Sequence, residues 1–266
     1  MIKKLLFLVG IIGLTSLYSC GKYQKLIKST DNEAKYEAAI DLFERKDYSR
    51  ALELFDLLQA AYRGTAKGED LSYYTAYCYY HMHDYTVASY YFKRYVQSYP
   101  QYARAEECLY MNAYCYYLDS PRASLDQSNT YLAISELQLF ADTYPNSERV
   151  AEANHLIDDL REKLELKAYN ISVMYYRMRD YMAAITSFEN LMKNYPDTDR
   201  KEEILYYMSL AYYEFAENSV LEKKKERYES AVETYNNLLY LFPESEYLIG
   251  LAQLDAKARK RLESYQ

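Results

Sequence analysis

The chain has 266 residues, 50% of them hydrophobic and 27% charged, with only 6 Gly and 5 Pro, which is the composition of a folded protein. Gly10 and Gly13 fall in an apolar N-terminal run, so the rest of the chain has little glycine for phosphate-cradling loops, and nucleotide-binding α/β folds are set aside. A net charge of -7 argues against nucleic acid as a partner, because phosphate binding draws on a surplus of Lys and Arg.

In the first twenty residues, Lys3 and Lys4 precede a mainly apolar stretch from Leu5 to Leu17. A bilayer crossing takes roughly 20 apolar residues, so residues 1–19 read as a secretory signal. Leu17-Tyr18-Ser19-Cys20-Gly21 resembles the lipobox of bacterial lipoproteins. The resemblance implies that Cys20 is acylated and becomes the mature N-terminus, with residues 20–34 as a linker behind it. Acyl chains contribute roughly 0.8 kcal/mol per buried methylene, enough for several chains to hold a folded body at a membrane. That covalent lipid on Cys20 is the one non-protein group expected, with no cofactor. Cys78, Cys108 and Cys115 lie in helical patterns and read as small buried apolar side chains. His81 and His83, two residues apart, would face different sides of a helix, so no metal site is expected.

From Lys35 onward the chain repeats itself. Ala-Tyr-Cys-Tyr-Tyr occurs at residues 76–80 and again at 113–117, and helical stretches close in Tyr-Pro at 99–100, 144–145 and 195–196, and in Phe-Pro at 242–243. Asp-Tyr pairs at 47–48, 84–85 and 180–181 mark turns inside the repeats. In register, a small residue recurs at Ala39, Ala76, Ala113, Ser172 and Ala211, and a second at Ala51, Ala88, Ala133, Ala184 and Ala231. Four residues further on stands a large one: Phe55, Phe92, Leu137, Phe188 and Tyr235. The small residues would let two antiparallel helices cross closely while the large one fills the space toward the next pair. Proline would end each second helix. Insertions around residues 120–128 and 219–227 are expected in loops between paired helices, and Asp199 with Glu202 reads as a capping box.

This pattern resembles the tetratricopeptide repeat. It predicts an all-α fold, a superhelix of five helix pairs plus a C-terminal capping helix. The units fall at about 35–63, 70–100, 103–145, 148–196 and 199–243 within residues 35–245, and the cap at 246–266. A stripe of Val150, Ala153, Ile157, Leu160 and Leu164 predicts one long helix running into the fourth unit.

Groove positions on a first helix lie three before, one after and four after its small residue. They hold Tyr36, Ile40 and Phe43, then Tyr73, Tyr77 and Tyr80, then Tyr110, Tyr114 and Tyr117. Seven of these nine are tyrosine, which suits either rings packed between helices or a ladder of amphipathic rings receiving a peptide. On the second reading Tyr36, Phe43, Tyr73, Tyr77, Tyr80, Tyr110, Tyr114 and Tyr117 line the binding groove. No catalytic motif supports an enzyme: there is no Ser-centred glycine elbow, no His-Glu-x-x-His and no Walker loop. The charged run at residues 222–227 reads as a soluble loop or a helix start.

A lipobox followed by five such units resembles the BamD family of outer-membrane β-barrel assembly lipoproteins. The stretches that carry it are residues 125–128, 140–147, 160–164, 181–185 and 195–198. The resemblance implies a scaffold lipid-anchored in the outer membrane and facing the periplasm. Its C-terminal units would bind the POTRA domains of a BamA-type barrel subunit, and its N-terminal units would receive unfolded outer-membrane proteins. Members of that family often carry an arginine where this chain has Ser187, so a salt bridge from that position is not carried over. Other readings are an envelope tetratricopeptide lipoprotein coordinating cell division or peptidoglycan, and a SusD-like glycan-binding lipoprotein. The second is weakened by the absence of Trp.

Overall fold

Small side chains set the helix spacing. The computed structural model describes residues 22–265, so the signal segment and Cys20 lie outside the described residues. A helical turn at 22–27 leads into α1 (Asn32–Glu44), α2 (Tyr48–Leu58), α3 (Ala66–His81), α4 (Tyr85–Ser98), α5 (Ala105–Leu118) and α6 (Ser128–Thr143). There follow α7 (Val150–Arg177), α8 (Tyr181–Asn194), α9 (Lys201–Glu217), α10 (Leu221–Leu241) and α11 (Tyr247–Glu263). No strand occurs among the described residues. The fold is therefore all-α and built of helix pairs, as the periodicity predicts. The helices form two compact units, one reaching Pro121 and resuming over Gln127–Asp158, the other made of Arg122–Asp126 and Asp159 onward.

In the first unit Ala39, Ala51, Ala76, Ala88, Ala113 and Ala133 are fully buried, and so are Phe55, Phe92 and Leu137. Alanine at the crossings lets neighbouring backbones approach, and the large residue then fills the gap that this approach leaves. A cluster of Ala39, Ala51, Leu54, Phe55, Leu58, Leu71 and Cys78 joins α1, α2 and α3. Burying a Leu or Phe side chain contributes about 1.5–3 kcal/mol, so these positions carry the unit.

The second unit repeats the scheme. Ser172, Ala184 and Ala211 are fully buried beside Phe188, Leu191 and Ile204. Leu205, Leu238 and Leu251 join α9, α10 and α11, while Ala216, Tyr228 and Ala258 close the other end of the same contact. Helix α11 thus covers the apolar side that α9 and α10 would otherwise expose.

The turns within helix pairs share one local design. Lys46, His83 and Arg179 have φ of 63°, 61° and 64°, the left-handed conformation that stops a helix. The following amides Asp47, Asp84 and Asp180 donate to the carbonyls of Leu42, Tyr79 and Tyr175 five residues back. Each of those aspartates then caps the next helix, its carboxylate accepting from the amides of Arg50, Val87 and Ala183 at 3.4, 3.3 and 3.2 Å. The Asp-Tyr pairs legible in the sequence are these caps with the first residue of the helix behind them.

Two local expectations are corrected. The insertion near residues 120–128 is a loop between α5 and α6, but the one near 219–227 is helical from Leu221, two turns added to the start of α10. Lys and Glu are strong helix formers, and Arg227 anchors the added turns by lying 3.5 Å from the ring centroid of Phe215. Asp199 and Glu202 form no capping box, since the residue flanking α9 is Arg200 and no side chain caps that end. Just ahead of that end, the Thr198 hydroxyl accepts from the Arg200 amide at 3.1 Å and donates to Glu165 at 2.6 Å. The predicted long helix is α7, 28 residues from Val150 to Arg177.

Candidate partner-binding face

The tyrosines at groove positions are held by the helix that follows them. A basic residue opens each next first helix and lies near the ring, and in the first two of these an acidic residue three positions later accepts the hydroxyl. Lys67 is 4.8 Å from the centroid of Tyr36, and Asp70 accepts the Tyr36 hydroxyl at 2.9 Å. Arg104 is 4.4 Å from Tyr73, and Glu107 accepts Tyr73 at 3.2 Å and Tyr77 at 2.5 Å. Arg149 is 5.0 Å from Tyr110, whose buried hydroxyl makes no hydrogen bond among the described residues, and Glu152 stands three residues after Arg149. In the second unit Arg200 is 5.6 Å from Tyr169, and burial first and then Glu203 push the Tyr169 hydroxyl above the usual phenol range. Cation over ring and carboxylate on hydroxyl are both favourable, and neither works without a ring placed between them.

These clamps decide which candidates remain available. Tyr110 is 4% exposed and is closed to any partner, a correction to its place in the groove. Tyr36, Phe43, Tyr73, Tyr77, Tyr80, Tyr114 and Tyr117 are all half-buried. Phe43 packs edge-on against Tyr48 and Tyr74, at 5.5 and 4.8 Å between centroids. Tyr77 packs edge-on against Phe92 at 5.0 Å, so its ring is structural as well as partly accessible. Burial first, and then the bond to Glu107, push the Tyr77 hydroxyl far above the usual phenol range; burial with the Glu107 charge takes Tyr73 to about 12. Both are neutral donors throughout the physiological range.

On α5 the rings run as a stack. Tyr114 lies parallel to Tyr110 and to Tyr117, each pair 5.8 Å apart and tilted by 14° and 13°. Tyr80 of α3 is raised above the usual phenol value, by burial first and then by the nearby Tyr114. Tyr80 and Tyr114, with Tyr117 continuing the stack, form an aromatic part of the face.

The sequence reading missed two cavities. One of about 690 Å³ lies in the first unit and is lined by Asp56, Arg63, Gly68, Tyr91, Arg94 and Tyr99, mostly from second helices. The other, about 680 Å³ in the second unit, is lined by Ile171, Tyr175, Met182, Ser187 and Leu191. Met182 itself is 63% exposed, and Met174 and Met178 of α7 are 45% and 67% exposed. Ile171, Met174 and Met178 are spaced three and four apart, a signal that α7 carries an apolar stripe beyond what its own pair consumes. The Ser187 hydroxyl is 2.7 Å from that of Ser172, so its polar group is spent inside the unit.

Among the described residues no helix is long and apolar enough to cross a membrane, and no group of three or more His, Cys, Asp and Glu side chains is placed to hold a metal ion. A family model described as "YfiO: Outer membrane lipoprotein" matches residues 28–228, most of the chain. The chain belongs to this family of outer-membrane lipoproteins. It is 30% identical over 87 residues to the outer membrane protein assembly factor BamD of Rickettsia prowazekii (strain Madrid E), a match spanning 33% of this chain and 35% of that relative. The chain thus spans about a third of the length of this curated relative. Among solved structures, it aligns with the TPR2AB-domain:pHSP90 complex of yeast Sti1 at a TM-score of 0.42 and 10% identity, covering 88% of this chain and 85% of that one. The P58(IPK) TPR domain aligns at 0.40 and 17% identity, covering 95% and 68%.

Proposed function

We propose that the protein is a non-catalytic scaffold of the outer-membrane β-barrel assembly machinery, acylated at Cys20 and facing the periplasm. On this reading the second unit holds the POTRA domains of a BamA-type barrel subunit. The first unit receives aromatic-rich segments of unfolded outer-membrane proteins at Tyr80, Tyr114 and Tyr117.

Family membership supports the setting. The observation that carries the binding role is the stack on α5, where half-buried rings offer rigid contact area and hydroxyls at little entropic cost. For the second unit the support is different. Ser187 offers no cation for a salt bridge, whereas the cavity around it and the neighbouring exposed methionines offer apolar surface. Docking there is apolar in this chain, with methionine side chains adapting to the partner.

The test is affinity purification from solubilised membranes through a C-terminal tag, comparing the natural chain with Cys20→Ala. The expected outcome is recovery of a barrel-assembly subunit with the natural chain, and loss of membrane retention with the variant. Recovery of division proteins or glycan in place of a barrel subunit overturns the assignment.

A further inference from the structure

We infer that Lys22, Lys25 and Lys28 form a contact with acidic phospholipid headgroups that fixes which side of the first unit faces the membrane. The inference rests on the acylation of Cys20 proposed above.

Residues 22–28 read Lys-Tyr-Gln-Lys-Leu-Ile-Lys, three lysines at intervals of three with no acidic residue among them. The helical turn at 22–27 separates the two chemistries by side. Tyr23, Leu26 and Ile27 are half-buried against the core of α1, α2 and α3, while Lys22, Lys25 and Lys28 are exposed. Tyr23 fixes the orientation of the turn. Its hydroxyl is 3.0 Å from the Arg50 carbonyl and 2.7 Å from the Glu53 carboxylate, and the Arg50 guanidinium is 5.5 Å from its ring centroid. The lysine row is thus a fixed feature of the first unit's surface and not a loose tail.

Position along the chain gives the row its partner. Lys22 stands two residues after Cys20, and two residues of chain span at most roughly 7 Å. With acyl chains on Cys20 in the bilayer, Lys22 stays within one Debye length (about 10 Å at 0.1 M salt) of the surface charge, and Lys25 and Lys28 follow it along the same side of the turn. The chain as a whole carries -7, and is more negative still once the signal segment with Lys3 and Lys4 is removed, so the body is repelled by an acidic surface. A local triple positive charge against that background selects one side for approach. The acyl chains hold the protein at the membrane, and the lysines set its orientation.

The test uses acylated protein purified from membranes and reconstituted into vesicles of phosphatidylglycerol with phosphatidylcholine, or of phosphatidylcholine alone. Lysines are labelled with an amine-reactive acetylating reagent and followed site by site by mass spectrometry. The expected result is labelling of Lys22, Lys25 and Lys28 at least fivefold slower on the acidic vesicles, with the protection lost in 0.5 M salt. Exposed Lys193 and Lys257 should label equally on both. Equal labelling of the three N-terminal lysines on the two vesicle types overturns the inference. Fractionation of Cys20→Ala tests the anchor separately: a variant that stays in the membrane defeats the acylation reading whatever the labelling shows.

Discussion

Arg104 and Glu107, one helical turn apart at the start of α5, grip Tyr73 from two sides. The guanidinium lies 4.4 Å from the ring centroid, and the carboxylate takes the hydroxyl at 3.2 Å. Arg104 is also paired with Asp70 at 2.6 Å and with Glu69 at 3.4 Å, so one side chain joins α3 to α5 through a ring and two carboxylates. The full arrangement recurs with Lys67 and Asp70 at Tyr36, and its cation over a ring recurs with Arg149 at Tyr110 and Arg200 at Tyr169. Repeat stacks are stabilised mainly through nearest-neighbour contacts, and here those contacts have a definite chemistry.

Arg104→Ala should therefore destabilise the first unit more than Lys67→Ala does. A half-buried cation over a ring is worth about 1–2 kcal/mol, and leaving Asp70 and Glu69 without their cation adds to the loss. Lys67 engages the more exposed Glu33 and the Tyr36 ring, where the same interactions are weaker. Urea unfolding followed by circular dichroism should rank the two variants in that order; equal midpoints would mean that the clamp is not an energetic unit.

The turn residues give a prediction of opposite sign. Lys46 occupies the left-handed region at φ 63°, a position that glycine fills without a Cβ penalty. Lys46→Gly should raise stability by about 0.5–1 kcal/mol, the relief at the turn exceeding the added freedom of the unfolded chain. Asp47→Ala at the adjacent cap should lower it by about 1 kcal/mol. A thermal melt of each variant reads both signs.

The aromatic face needs substitutions that separate binding from folding. Tyr77 packs on Phe92 and bonds to Glu107, so Tyr77→Ala would remove core contacts and cost about 3–5 kcal/mol, by analogy with other large aromatic truncations. Tyr114→Ala with Tyr117→Ala removes two half-buried rings of the α5 stack and should weaken an aromatic-ended peptide by roughly tenfold or more, the scale on which anchor aromatics act. Tyr77→Phe, which keeps the ring, should leave peptide affinity within about twofold. Fluorescence titration with a labelled peptide checks all three, and unchanged affinity of the double variant removes this face from the proposed function.

Much of this was legible in the sequence because the repeat is enforced by sterics. A position where two backbones meet takes Ala or Ser, and Ala39, Ala76, Ala113, Ser172 and Ala211 are all fully buried. The clamps were equally present in the letters, as Arg104, Arg149 and Arg200 each stand four residues after a Tyr-Pro proline with Glu three residues on. Their meaning was hidden because they join residues more than thirty positions apart, which local periodicity does not connect. For the same reason Tyr110 read as a groove residue: spacing places its Cβ on the right side of α5, but α7 brings Arg149 over the ring. Asp199 and Glu202 show the converse. The capping-box spacing is met, yet α9 starts behind Arg200, one residue later than that box requires, and Thr198, bound to Glu165 on α7, holds the Arg200 amide.

Acid should loosen the second unit through Glu217. Its carboxyl is held below the usual glutamate value, first by the hydrogen bond from Tyr228 at 2.5 Å and further by Arg261, against a smaller opposing effect of burial. The folded state then binds fewer protons than the unfolded state, so stability rises with pH across this window. The contribution is complete above the ordinary glutamate value of 4.5 and is lost as pH falls through the lower folded value. Unfolding free energy measured from pH 6 down to pH 3 should drop less steeply for Glu217→Gln. The same slope in both proteins would exclude Glu217 as a source of the acid sensitivity.

The three buried thiols allow the first unit to be monitored by itself. Cys78, Cys108 and Cys115 are fully buried and all belong to that unit, two of them on α5 and one on α3. Burial, with lesser help from Asp56 and Asp119, pushes Cys78 and Cys115 to about 12, and burial pushes Cys108 up as well. At pH 8 almost no thiolate is present and no reagent reaches the sulfur, so alkylation waits for the helices to open. Native protein should label roughly a thousandfold more slowly than the urea-unfolded chain, with the rate tracking the opening free energy. Because the second unit lacks cysteine, the denaturant dependence of labelling reports the first unit, whereas circular dichroism reports both. Coincident midpoints would show the two units unfolding together; labelling that completes before the circular dichroism transition would show the first unit opening alone. A fourth label, appearing at once in native protein, would identify Cys20 as a free thiol and remove the acyl anchor from the proposed function.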